Sequence, residues 1–178
     1  SRNGDYFNFW GKTALGVQDD DPIDITAGST YPSRLYDSIE TNAGLLLFSP
    51  NEQFLLTTDQ DLLTTKTAKV TGLSSWRFNT STHPVSMGAG VGFLSNAGDH
   101  SRYFEMVNIS KENEPVVIEQ SKPIATMMPD DLDLIAESKE NGIVIMGKKY
   151  QNKVFVYKWF DTGKERLQSA WVEWELTG

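Results

Sequence analysis

Residues 44–57 read GLLLFSPNEQFLLT: an apolar run, a break at Ser49-Pro50-Asn51, and a second apolar run. Proline presets the backbone for a tight turn and asparagine tolerates its strained positions, so the stretch reads as two strands folded back on each other. The plan recurs. Residues 91–107, VGFLSNAGDHSRYFEMV, hold Asn96, Gly98 and Asp99 between two apolar runs, and residues 142–160, GIVIMGKKYQNKVFVYKWF, turn around Gln151-Asn152. In the last unit Val154, Val156 and Lys158 alternate with Phe155, Tyr157 and Trp159, the period of two that gives a strand two distinct faces. The units begin at Gly44, just after Gly90 and at Gly142. Their intervals of ~50 residues are those of propeller-blade repeats.

Shorter strand candidates fill the spaces: AKVTGL (68–73), PVVIEQ (115–120), LDLIA (132–136) and the alternating SAWVEWEL (169–176). Only SRLYDSIE (33–40) reads as a helix, placing Leu35, Tyr36 and Ile39 on one helical face behind a Ser33 cap. The expectation is an all-β chain, an incomplete propeller-like array of antiparallel hairpins. A β-sandwich of the same strand count is the alternative. No Pro-, Gly- or Ser-rich linker divides the chain, so residues 1–178 are expected to form one β-rich domain. Blades bury their faces against neighbours, so a short run of them leaves sheet faces for something else to cover.

The 178 residues are 39% hydrophobic and 11% aromatic, the composition of a packed globular protein rather than a disordered one. There is no cysteine, which excludes disulfides, thiolate metal sites and a cysteine nucleophile. Twenty-four acids against 16 bases leave a net charge of -8. The longest basic runs are pairs such as Lys148-Lys149. A conventional DNA reader needs a clustered basic face, so the charge pattern argues against tight nucleic-acid binding, whereas an acidic wall that DNA slides past without adhering is compatible. No apolar run reaches the length of a membrane span, and no signal-peptide pattern is present.

Candidate chemistry is thin. His83 and His100 sit in expected loops, with no nucleophile-elbow sequence and no second ligand at metal spacing, and are read as surface histidines. Asp19, Asp20, Asp21 and Asp24 form the densest acidic cluster, but EF-hand register is missing, and a turn before Pro22 is the simpler reading. Asp130, Asp131, Asp133, Glu173 and Glu175 supply carboxylates for a glycosidase pair, with Trp171 or Trp174 as sugar platforms; the mechanism requires two carboxyls at a defined separation across a cleft. Trp10, Trp159, Trp171 and Trp174 serve as interface anchors or core. Asn79-Thr80-Ser81 and Asn108-Ile109-Ser110 match the glycosylation pattern by chance. No catalytic, cofactor-binding or metal-binding residue is assigned, and no cofactor is expected.

An ordered set of stretches resembles one family, the tail tubular protein B, or nozzle, proteins of short-tailed (podovirus) bacteriophages. These stretches are SRNGDYFNFW (1–10), DDDPIDI (19–25), LLLFSPNEQFLL (45–56), YFEM (103–106), PDDLDLIA (129–136), NKVFVYKW (152–159) and RLQSAWVEWEL (166–176). Residues 66–82 match least. The resemblance implies a non-enzymatic virion structural protein with a β-propeller-like region. It implies a homo-oligomer, a hexamer in the full-length assembly, meeting a gatekeeper or adaptor ring and tail fibres around a genome-ejection channel. DNA would pass without sequence-specific binding, and the tail would be assembled in the bacterial host cytoplasm. With no initiator Met and with Tyr6, Phe7, Phe9 and Trp10 so early, the chain is expected to be an internal fragment of a longer tail protein. A glycan-binding or glycan-hydrolysing tail module is the alternative function.

Overall fold

The computed structural model describes residues 34–59, 62–64, 66–96, 98–162 and 165–177. Twelve antiparallel strands make three four-stranded sheets, each a simple meander. The first sheet runs β1 (Asp37–Thr41), β2 (Gly44–Phe48), β3 (Gln53–Thr58) and β4 (Ala68–Ser74). The second runs β5 (Val85–Ser86), β6 (Val91–Ser95), β7 (Arg102–Val107) and β8 (Val116–Glu119). The third runs β9 (Leu134–Ser138), β10 (Ile143–Gly147), β11 (Lys153–Asp161) and β12 (Arg166–Glu175). Among the described residues one 3-10 turn, Lys122–Ile124, falls between β8 and β9 in the chain, and there is no α-helix. Among them the sheets do not close into a ring.

The three expected hairpins are β2–β3, β6–β7 and β10–β11, the central pairs of their sheets. The helix expected over 33–40 is corrected: Asp37–Thr41 is strand β1, with Ile39 opposite Leu46. Five residues offer too few helical hydrogen bonds to compete with a complete ladder to β2, and alternate burial of Asp37, Ile39 and Thr41 follows period two. β5, only two residues long, carried no signal in the sequence.

The recurring glycines sit where each meander is tightest. A Cβ on Gly44 would lie 2.5 Å from the Leu56 carbonyl oxygen, and one on Gly90 would lie 2.7 Å from that of Met106. Gly142, at φ +61°, would run into the Trp159 carbonyl. In all three units the backbone of the third strand approaches too closely for any side chain.

Two cores separate three layers. Leu46, Phe48, Leu55, Phe78, Val91, Phe93, Phe104 and Met106 fill the space between the first and second sheets. Val85, Met87, Leu94, Tyr103, Ile135, Val144, Met146, Phe155, Tyr157 and Trp159 fill the space between the second and third. The second sheet is therefore buried on both faces, which is why all five residues of β6 are buried. Ring pairs Phe48–Phe93 (5.5 Å) and Phe93–Phe104 (5.7 Å) knit the first core, and Tyr157–Trp171 (4.9 Å) and Tyr103–Tyr157 (5.7 Å) the second.

The stacking has a direction. Along a strand, side-chain face and backbone hydrogen-bonding side alternate together. Phe48, facing the second sheet, turns its carbonyl toward β1, where it accepts from Tyr36 N–H (2.9 Å). Gly90 turns its carbonyl to Met87 on the β5 side (2.9 Å), and so do Gly92 and Leu94 two and four residues on, Leu94 facing the third sheet. In β10 the sense is reversed: the Gly142 carbonyl accepts from Trp159 on β11 (2.8 Å), and Val144 and Met146, in step with it, face back toward the second sheet. Each interface thus joins unlike faces, so the sheets are stacked head to tail.

Candidate assembly surfaces

One polar cluster interrupts the apolar interior. Glu105 on β7 points toward the third sheet with its side chain 3% exposed. Arg166, the first residue of β12, crosses to it with two hydrogen bonds: Nη2 donates to Oε1 at 2.8 Å and Nη1 donates to Oε2. The same guanidinium donates from Nε to Asp161 (2.9 Å) and from Nη1 to the Tyr157 hydroxyl (3.1 Å). Gln120 Nε2 donates to Glu105 (2.7 Å), and Trp171 Nε1 donates to the Gln120 carbonyl (2.8 Å), tying β12 to the second sheet a second time. Desolvation opposes the charge on Arg166, but hydrogen bonds to Glu105 and Asp161 outweigh it and hold its proton more tightly than usual. Burial raises the Tyr103 phenol well above its ordinary value and raises that of Tyr157 as well. Every buried side-chain nitrogen and oxygen among the described residues has a partner. With all its groups engaged, the cluster clamps the second sheet to the third.

The turns after the first strand of each sheet converge on an open cleft of about 370 Å³, lined by Thr41 and Asn42, by Ser86 and Gly88, and by Lys139. The outer face of the third sheet is different in kind. Leu134, Ile143, Ile145, Val154, Val156, Val172 and Trp174 share it by register, opposite the core-facing set. Leu134, Val172 and Trp174 are 44–46% exposed. Lys158 shares this face and Val156 is buried on it. Among the described residues no other sheet covers it, and it has the same sense as the face the first sheet turns to the second. On the first sheet the corresponding outer side carries Leu45, Leu47, Phe54 and Leu56, of which Phe54 is buried and the leucines half-buried.

The carboxylates considered for glycoside chemistry each have their own place. Asp130 lies 3.8 Å from Lys148 Nζ, Asp133 accepts from Lys149 N–H (2.8 Å), and exposed Asp131 adopts φ 51°. Glu173 pairs with Lys153 (2.8 Å) and Glu175 accepts from Asn152 (3.1 Å) across the β11–β12 ladder. None of the five lines either the cleft above or the cluster around Glu105. Trp159 is core, Trp171 bridges two sheets, and Trp174 lies on the open face. His83 is exposed and His100 half-buried. No group of three or more His, Asp or Glu among the described residues is arranged to hold a metal ion. Asp19, Asp20, Asp21, Asp24 and Trp10 fall outside the described residues. Sequence reasoning missed Glu105 and Arg166. The available signal was a lone acid inside the apolar run Tyr103–Val107, a position that burial makes costly unless a cation meets it.

Stacked meanders with their chemistry spent on holding sheets together, and with an apolar face left open, define a structural β module built for assembly. The chain matches the bacteriophage nozzle protein family over residues 1–178, and it belongs to that family. It is 24% identical over 184 residues to the tail tubular protein gp12 of Escherichia phage T7, an alignment covering 99% of this chain and 22% of that relative. The chain therefore spans about a fifth of the length of the curated relative it matches.

Proposed function

We propose that this chain is a structural segment of a short phage tail, part of the nozzle wall around the genome-ejection channel. The observation that carries this reading is the head-to-tail stacking that ends on an open apolar face. An apolar sheet face of this kind is covered in the intact assembly, by a further sheet or by a neighbouring part. Stacking of unlike faces also supports a propeller, since a repeated rotation of this kind closes on itself once enough sheets are added. On this reading the three sheets belong to one domain of a longer tail protein. Six copies surround the channel, and they meet an adaptor or gatekeeper ring and tail fibres in the virion after assembly in the host cytoplasm. The net charge of -8 supports passage of DNA without adhesion. Engagement of Glu173 and Glu175 along a ladder, away from any shared cleft, favours the structural role over glycan cleavage.

The test is reconstitution. Full-length protein containing this segment, mixed with gatekeeper rings, should give six-fold tails under the electron microscope. Persistent monomers that bind or digest a host polysaccharide would overturn the reading. Changing Asp130, Asp131, Glu173 and Glu175 to amides should leave tail formation intact.

A further inference from the structure

Among the described residues the last strand, β12, is the longest at ten residues, and its backbone ladder is with β11 alone. Long sheet edges invite strand addition, and proteins blunt them with Lys, Pro, bulges or short length. The other edges follow that rule: β1 and β9 have five residues, β8 has four, β5 has two, and β4 carries Lys69, Gly72 and a register shift on its ladder. β12 has no Lys and no Pro, its one cation is turned inward to Glu105, and pairing with β11 is regular from Gln168 to Glu175. Because Leu176 N–H bonds to the Asn152 carbonyl (2.7 Å), alternation turns the backbone groups of Ser169, Trp171, Glu173 and Glu175 away from β11, to the free side. Beside that edge lies a second feature, a groove of about 450 Å³ between Ser169–Trp171 and the 3-10 turn, with Pro123, Ile124 and Trp171 as apolar walls and with Glu119 and Lys122, charges of opposite sign, also lining it.

A free backbone edge with a side-chain groove alongside is the arrangement by which extended peptides are captured. The geometry points to β12 as a strand-addition site for an extended, antiparallel segment of a partner. Charge and burial define that segment. The residue opposite Glu175 is basic, and one opposite Glu173 is basic and shares that carboxylate with Lys153. The residue opposite Trp171 is aromatic or large and aliphatic and enters the groove, and the intervening residues are apolar beside Trp174 and Val172. The site depends on β12 and the groove alone, and it stands whether or not the protein builds a nozzle.

The probe is a blocked heptapeptide, Lys-Val-Lys-Val-Phe-Val-Ser, added to the full-length protein containing this segment. Hydrogen exchange at the Ser169, Trp171, Glu173 and Glu175 amides should slow several-fold at millimolar peptide, with a change in tryptophan fluorescence. N-methylation at the lysines and phenylalanine, whose N–H groups face β12, should abolish both effects, while N-methylation at the valines should leave them. Glu173→Pro removes an outward N–H and spares the β11 ladder, so it should weaken binding at least tenfold with little change in thermal unfolding. Absence of amide protection in the unmodified protein, or equal binding of the two N-methylated peptides, would overturn the assignment.

Discussion

Removing Arg166 is the sharpest probe of how the third sheet is held. In Arg166→Met the hydrocarbon stem is kept and the guanidinium lost, so Glu105, with 3% of its side chain exposed, retains Gln120 as its side-chain donor. Stranding a buried charge by deleting its partner costs about 3–5 kcal/mol. The Arg166 side chain is 22% exposed, so water reaches the vacated position, and the lower end, about 3 kcal/mol, applies. For a chain of this size that lowers the melting temperature by roughly 6–12 °C. The double variant Glu105→Gln/Arg166→Met removes the stranded charge and should recover most of the loss, because a neutral amide can share hydrogen bonds with Gln120. Urea unfolding of the two single variants and the double variant gives the coupling directly. An Arg166→Met cost below about 1 kcal/mol, or a double variant no more stable than that single one, would refute the clamp.

Other consequences are open to measurement. Gly142→Ala and Gly90→Ala should each destabilise by about 1–3 kcal/mol in thermal unfolding, whereas Gly72→Ala, with no atom within 4 Å of the added methyl, should be neutral or slightly stabilising. Phe93→Ala, at the middle of the Phe48–Phe93–Phe104 stack, should cost about 3–5 kcal/mol. Because burial raises the phenols of Tyr103 and Tyr157 in the folded state, their contribution is fully present below the unfolded tyrosine value of about 10 and is lost as pH rises beyond it. Absorbance of tyrosinate should therefore lag behind that of the free residue and jump when the chain unfolds. Val172→Lys, on the open face, should leave folding of the isolated chain nearly unchanged and block its incorporation into tails, read by electron microscopy of reconstituted particles.

Local chemistry made much of this protein legible from residue order alone. Apolar runs broken by Ser49-Pro50-Asn51 and Gln151-Asn152, and alternation through Val154–Trp159, require hairpins wherever they are placed, because turn propensity and period-two burial act over a few residues. The glycines at 44, 90 and 142 marked the repeat because a backbone contact inside each meander forbids a side chain. Tertiary structure decided the rest. Asp37–Thr41 became a strand because β2 offered it a ladder, and the two-residue β5 exists only as a partner to β6. The pairing of Glu105 with Arg166 spans 61 positions and depends on which faces meet. Stacking direction, the open face of the third sheet and the groove beside β12 follow from how sheets pack on one another. No window of sequence contains that information, since each face is apolar whether it is covered or not.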